Sequence, residues 1–302
     1  MLDRYIDQVR LLINVLPHIA KEEVFALKGG TAINLFYRDM PRLSVDIDLT
    51  YVPVEDRDAS LMHIDESFNR VMEATTATGL FQAQRIAGGG NQDTRIMISE
   101  GTTRIKIETS PVARGTVLPP QTMVTSDAVT EQFGFAEMQV LAFEDLFGGK
   151  LHAALDRQHP RDLFDIKLLY ENEGLTDDLF RVFMVYVASS GRPMHELLVP
   201  TTPPPEEIFD VEFMGMTRNI VSKEMLAETR AQLHTDIRQR LTGDIAAFLL
   251  SLHDTEPDFE LIGLPEAAQL PAIRWKLFNL DKLKRENPEK HAAQREALEA
   301  LF

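Results

Sequence analysis

The segment that most constrains this chain is Arg42-Leu43-Ser44-Val45-Asp46-Ile47-Asp48-Leu49. Apolar Val45, Ile47 and Leu49 alternate with Ser44, Asp46 and Asp48. A period of two predicts a strand with its apolar side chains on one face and both carboxylates on the other. The pattern carries the strand over Leu43–Val52, and Pro53 closes it. Residues two apart on a strand lie about 6.5–7 Å apart at the backbone, near enough for Asp46 and Asp48 to reach the same divalent ions. Two hard cations about 3.5–4 Å apart clamp the attacking and leaving oxygens of an in-line phosphoryl displacement. Carboxylate oxygen is the ligand that such ions prefer.

The residues just upstream, Lys28-Gly29-Gly30-Thr31-Ala32, supply a complementary feature. Without a Cβ, Gly29 and Gly30 let phosphate oxygens approach backbone N–H groups. Thr31 is expected to cap a helix over Thr31–Tyr37, leaving its first-turn amides aimed at an arriving anion. Ser44 and Arg42 flank Leu43 just before the aspartates, where a hydroxyl suits a β- or γ-phosphate oxygen. Lys28 fits an ion pair or an exposed position as well as a catalytic one.

Elsewhere the periodicity predicts an amphipathic helix over 1–20, a short strand at Val24–Leu27 and a helix over Asp58–Thr78 with Leu61, Ile64, Phe68, Val71 and Met72 buried. Three short strands follow at Phe81–Ile86, Arg95–Ser99 and Thr103–Thr109, the Gly88-Gly89-Gly90 run reading as a hairpin. On the last strand Ile105 and Ile107 alternate with Arg104, Lys106 and Glu108, which makes Glu108 a candidate third metal ligand from a neighbouring strand. Residues 111–135 read as a loose connection. From Leu141 the pattern turns almost wholly helical, which places a boundary near residue 140 and divides the chain into domains 1–140 and 141–302.

Within the C-terminal domain a helix spans Phe143–Leu155, with Gly148 and Gly149 implying close packing or a bend, and another starts at Arg161. Lys150 followed by Arg161-Asp162-Leu163-Phe164-Asp165 reads two ways. Asp162 near a helix N-terminus and Arg161 with Asp165 at i,i+4 are ordinary helix chemistry. Alternatively the compact ammonium of Lys150 neutralises a triphosphate, with Asp162 fixing it or accepting a proton. His152 and His159 lack a second histidine at ligand spacing, so neither predicts a metal site. Residues 191–209 hold five prolines and read as a loop. Helices resume at 223–241, 244–252 and 272–301, the last interrupted near Pro288. Trp275 is expected in the core, with base stacking as the other reading.

Lys28-Gly29-Gly30-Thr31-Ala32 followed by Arg42-x-Ser44-x-Asp46-x-Asp48 resembles the signature of the AbiEii/MenT-type nucleotidyltransferase toxins, a branch of the DNA polymerase β-like nucleotidyltransferase superfamily. Lys150 to Asp165 resembles that family's second cluster. The resemblance implies an α/β (α+β) fold, with a mixed-sheet nucleotidyltransferase domain and a C-terminal helical domain completing the cleft. It also implies Mg²⁺ or Mn²⁺ on Asp46, Asp48 and Glu108, and an NTP whose phosphates lie against Gly29, Gly30, Ser44 and Lys150. The 3′ end of tRNA would be the acceptor, and the partner a helix-turn-helix antitoxin encoded nearby.

Composition bears on that acceptor. The formal charge is −16, whereas proteins that hold nucleic acid by its backbone present basic surface. The acidity is concentrated: residues 115–271 carry −15, and residues 272–302 carry +2. The motif region and the C-terminal helix are therefore free to face a polyanion, while the acidic middle keeps a protein or small-molecule acceptor open, as well as binding without turnover. The absence of cysteine excludes disulfides and thiolate metal sites. With no long apolar run and no secretory leader, a cytoplasmic location is expected.

Overall fold

A computed structural model describes residues 3–86, 94–200 and 207–302. By its contacts the chain divides into two compact units, Met1–Ala142 with Gly215–Ile220, and Phe143–Met214 with Val221–Phe302.

The first unit is a seven-stranded mixed sheet with helices. In chain order it comprises α1 (Asp3–Ile19), β1 (Phe25–Lys28), α2 (Gly29–Ala32) running into a π-helical turn at Ile33–Tyr37, β2 (Ile47–Tyr51), α3 (Arg57–Thr76), β3 (Gln82–Arg85), β4 (Arg95–Glu100), β5 (Thr103–Thr109), β6 (Gln121–Val124), α4 (Asp127–Phe133) and β7 (Glu137–Val140). The strand order is β3-β4-β5-β2-β1-β7-β6, with β2 parallel to β5, β1 parallel to β7, and the other pairs antiparallel. Helix α1 packs on β5, β7 and α3, burying Val9, Leu12, Ile13 and Leu16, as its three-to-four spacing predicts.

Several details differ from expectation. Strand β2 starts at Ile47, so residues 43–46 stand outside the sheet and Asp46 lies one residue before the strand. Ile47 and Leu49 are fully buried, while Val45 is only half-buried. The cause is a competing partner: Arg42 bridges Thr217, with Leu43 N–H donating to Met216 O (2.9 Å) and Arg218 N–H to Pro41 O (2.9 Å). The buried face of α3 is Ser60, Ile64, Ser67, Phe68, Val71 and Thr75, so small hydroxyl residues replace the expected Leu61 and Met72. The stretch 111–135 contains α4, capped by Ser126, whose hydroxyl accepts from Val129 N. The glycine run 88–90 lies outside the described residues.

The second unit is helical: α5 (Phe143–Asp156), α6 (Pro160–Asn172), α7 (Asp177–Ala188), α8 (Met194–Leu198), α9 (Glu207–Glu212), α10 (Lys223–Arg240), α11 (Gly243–His253), α12 (Pro271–Glu286) and α13 (Pro288–Glu299). Helices α8 and α9 correct the expectation of a loop over 191–209. Gly148 and Gly149 let α5 meet α7 closely, because a Cβ there would stand 3.1 and 3.3 Å from the Tyr186 ring. Trp275 is not in the core. It is 55% exposed and stacks on Phe278, with ring centroids 5.7 Å apart.

Helices α11 and α13 are joined by a reciprocal pair: His253 Nε2–H donates to His291 O and His291 Nε2–H to His253 O, both at 3.0 Å, with the rings 4.3 Å apart. Burial is the main cause holding His253 below its ordinary value, so the folded unit binds this proton less readily than the unfolded chain. The stability it contributes is complete above the unfolded pKa of about 6.5 and is lost as pH falls from there through the lower folded value. Burial acts in the same direction on His152 and His234. Thermal melting should therefore begin at a lower temperature at pH 5.5 than at pH 7.5. His253→Gln, which keeps a donor for His291 O, should reduce that difference; an unchanged difference would remove His253 as a cause.

Candidate active site

The site is built where four strands bring charged residues into register. Lys28 on β1 pairs with Asp48 on β2, Asp48 pairs with Glu108 on β5, and Glu108 pairs with Arg95 on β4. Register partners share a face of the sheet, so the row reads cation, carboxylate, carboxylate, cation. Arg95 Nε lies 3.0 Å from Glu108 Oε2, and Lys106 Nζ lies 3.0 Å from Glu108 Oε1. Burial raises the Asp48 carboxyl above its ordinary value; Lys28 opposes this, and Glu108 and Asp46 add to it. Burial lowers the Lys28 ammonium, against the pull of Asp48 and Glu108. Although Lys28 is half-buried as a residue, its charge is thus far from fully solvated.

Asp46 reaches the site by another route. Thr31 is not the helix cap; the helix begins at Gly29 with Lys28 as its extended N-cap, and Thr31 is buried inside the first turn. Its hydroxyl donates to Asp46 O (2.5 Å) and lies 3.0 Å from Ser44 Oγ. Asn34, also fully buried, donates to Gly30 O (2.7 Å) and accepts from Arg42 N–H (3.3 Å). The segment carrying Arg42, Ser44 and Asp46 is therefore held by side chains of the helix on one side and by the backbone of 216–218 on the other.

The two glycines are explained by the protein's own side chains. Gly29 has φ +74°, and a Cβ on it would stand 2.8 Å from Asp48 Oδ2. A Cβ on Gly30 would stand 2.5 Å from Arg42 Nη2 and 2.9 Å from Ser44 Oγ. Asp48, Arg42 and Ser44 can lie against the start of the helix only because these two positions lack side chains. Asn34 and Arg95 went unnoticed in the sequence. Asn34 lies within the buried turn of a short helix, and nothing local marks it as a brace.

The second unit holds its own cluster. Lys150 Nζ lies 2.9 Å from Asp162 Oδ1 and 3.1 Å from Asp165 Oδ2, and Arg157 bonds both Asp162 oxygens, at 2.6 and 3.0 Å. Lys150 is 7% exposed and both aspartates are fully buried. Burial works to raise Asp162, but Lys150 and Arg157 outweigh it and hold the carboxyl well below the usual range. A carboxylate held this low anchors a lysine better than it accepts a proton. His159 caps α6 by accepting from Arg161 N–H (3.1 Å), and its Nε2 lies 3.0 Å from Glu212 Oε2.

Asp46, Asp48 and Glu108 are electrostatically coupled, and a cation would relieve the like-charge crowding on Asp48. Among the described residues, however, no three acidic, histidine or cysteine side chains converge closely enough to hold a metal. Glu108 is turned instead to Arg95 and Lys106. The donor set thus fits a metal through the aspartate pair, with Glu108 engaged by its cations.

The chain matches, over residues 10–279, the family described as nucleotidyl transferase AbiEii toxin of a type IV toxin–antitoxin system. It is similar in fold to the nucleotidyltransferase toxin MenT4 of Mycobacterium tuberculosis H37Rv, with a TM-score of 0.59, 14% identity, and coverage of 91% of this chain and 93% of that one. No curated protein sequence matches.

Replacing Thr31 by valine keeps the volume but leaves the half-buried Asp46 carbonyl without its donor. The loss should be about 1–3 kcal/mol of stability by urea denaturation, largely restored by Thr31→Ser. A valine variant as stable as the parent would show that the hydroxyl does not hold Asp46.

Proposed function

The chain belongs to the AbiEii nucleotidyl transferase toxin family, and from that premise we propose that it transfers a nucleoside monophosphate from an NTP to an acceptor hydroxyl, the 3′ end of tRNA being the preferred acceptor. The observation that carries this reading is the pair Asp46 and Asp48, one fixed by Thr31 and the other by strand register, beside a helix start cleared of side chains at Gly29 and Gly30.

Asp46 and Asp48 would hold Mg²⁺ or Mn²⁺, and Glu108 could join them if Arg95 and Lys106 turned to the substrate's phosphates. Bound there, the metal would supply Lewis-acid charge at the α-phosphate and its leaving oxygen. The remaining work falls to the chain. Ser44 and the amides at Gly29 and Gly30 orient phosphate oxygens; Arg42, buried behind Gly30, fixes that wall. Lys28 balances the carboxylates until substrate arrives. Lys150, matched by Asp162 and Asp165, could serve a triphosphate only by exchanging one of those carboxylates for it. The acceptor hydroxyl attacks the α-phosphorus, forming the new ester bond as the bond to pyrophosphate breaks.

No helix among the described residues is long and apolar enough to cross a membrane. Membership of a type IV toxin–antitoxin family implies an antitoxin partner, and we expect a helix-turn-helix protein encoded beside it.

Incubating the purified protein with each α-labelled NTP, Mg²⁺, total RNA and a protein extract tests the reading. Label should enter small RNA with one preferred NTP. Label on protein would keep the chemistry and replace the acceptor, and no label in any fraction would overturn the transferase reading. Asp46→Asn, which removes charge without changing shape, should lower transfer by about 10²- to 10³-fold, the several kcal/mol that metal-held charge supplies, and should relieve growth arrest on expression.

A further inference from the structure

Helix α12 departs at three positions from the usual arrangement of an amphipathic helix. Its buried residues are Ala272, Ile273, Lys276 and Leu280, while Trp275 and Phe278 are each 55% exposed. A lysine faces inward and a tryptophan outward. The two aromatic rings are stacked nearly parallel, 17° apart, and both side chains are largely exposed. Large aromatic surface left exposed in this way marks a contact site more often than a packing accident.

Beside it the second unit contains a cavity of about 390 Å³, within the range of small-ligand sites. Trp275, Lys276, Ser190, His253, Asn279 and Gln294 are among the residues that bound it, and none of the residues of the candidate active site does. Lys276 Nζ donates to Ser190 O (2.8 Å) and Arg192 O (2.7 Å). These bonds use two of the ammonium's three donors, and both acceptors are neutral. Burial alone pushes this ammonium down, to about 8, so it remains mostly charged at neutral pH. Among the described residues no carboxylate bonds to this ammonium, so the cavity wall carries its positive charge. A bound anion would gain from it directly.

The Trp275 ring, the buried ammonium of Lys276 and the side-chain amides of Asn279 and Gln294, all lining one cavity, match the three components of a nucleotide: base face, phosphate and base edge. We propose that this cavity binds a nucleotide unit, its base stacked on Trp275 and its phosphate drawn to Lys276. A free mononucleotide and a residue of a single-stranded RNA share this chemistry. The inference uses no residue of the candidate active site and stands or falls apart from the transferase reading.

Trp275 is the one tryptophan in the sequence, so its fluorescence reports on this site alone. The full chain is titrated in EDTA, which silences metal-dependent binding elsewhere, with the four nucleoside monophosphates, with the matching nucleosides, with inorganic phosphate and with a short single-stranded oligoribonucleotide. Saturable quenching by a nucleotide is expected, with phosphate competing but not quenching. Trp275→Ala, an exposed position, should weaken binding about tenfold as read by equilibrium dialysis of a labelled monophosphate, as loss of one stacking partner does. Lys276→Met should weaken the monophosphate but not the nucleoside. Tighter binding of the oligonucleotide than of its mononucleotide identifies a strand as the occupant, and equal binding identifies the free nucleotide. The proposal is overturned if no nucleotide or oligonucleotide quenches Trp275 saturably at millimolar concentration, or if affinity is unchanged in Trp275→Ala.

Discussion

The first unit depends on one row of charges laid across its sheet. Lys28, Asp48, Glu108 and Arg95 occupy successive strands in register, and like charges directly opposite each other are destabilising on a sheet. The two carboxylates can stand side by side only because a cation closes the row at each end and Lys106 adds a third. The same pairing sets the core. On the opposite face Ile47 meets Ile107 and Leu49 meets Thr109, all buried. A slip of one residue in β2 would place Ile47 in the charged row and Asp48 in the core. Apolar packing and site geometry therefore specify a single register, and each excludes the alternatives open to the other.

This coupling explains why so much of the first unit is legible in the sequence. The alternation around Asp48, the Gly-Gly turn, the alternation around Glu108 and the amphipathic first helix are local signals, and there the local signal coincides with the tertiary requirement. The mixed α/β architecture follows from them. What was not legible is non-local. The ladder of β2 is shortened at its start because residues 41–43 find a partner at 216–218, far along the chain, and no periodicity reports such a bridge. Thr31 looks like a cap because threonine after glycine usually is one. Here its hydroxyl is used instead to hold the Asp46 carbonyl, a bond that only the fold creates. Glu108 reads as a ligand, but its companions Arg95 and Lys106 become visible only once β4 and β5 are paired.

The segment 215–220 has a consequence for how Asp46 is held. Because Asp46 is outside the sheet, the register that fixes Asp48 does not fix it. Its position comes from Thr31 and Asn34 on one side and from main-chain bonds to 216–218 on the other. The two aspartates are thus positioned by different means: one by a continuous ladder, the other by a few discrete hydrogen bonds. Discrete bonds open at lower cost than a central strand does, so Asp46 is the member of the pair better able to adjust as a substrate and its metal enter. Gly29 and Gly30 serve the same economy of space, since they let Asp48, Arg42 and Ser44 rest on the helix start without a Cβ between them.

Three enclosed lysines show how differently one charge can be accommodated. Lys28 sits beside Asp48 in the sheet, where burial and an opposite charge pull its proton affinity in contrary directions. Lys150 is matched by two buried aspartates, one of them also bonded by Arg157, so that two cations and two carboxylates balance within the cluster. Lys276 has only carbonyl oxygens. Dipoles can satisfy an ammonium's donors, but they do not remove its net charge, and in a poorly solvated wall that charge acts over a longer range than it would in water. The first two arrangements are already neutralised, so an anion must displace a partner to profit from them. At Lys276 an anion need displace no carboxylate, and the exposed Trp275 lines the same cavity. The surrounding sequence reinforces the difference, because Lys276 lies in the stretch 272–302, which carries +2 where residues 115–271 carry −15. Of the three lysines it is the one with the most to gain from a negatively charged ligand.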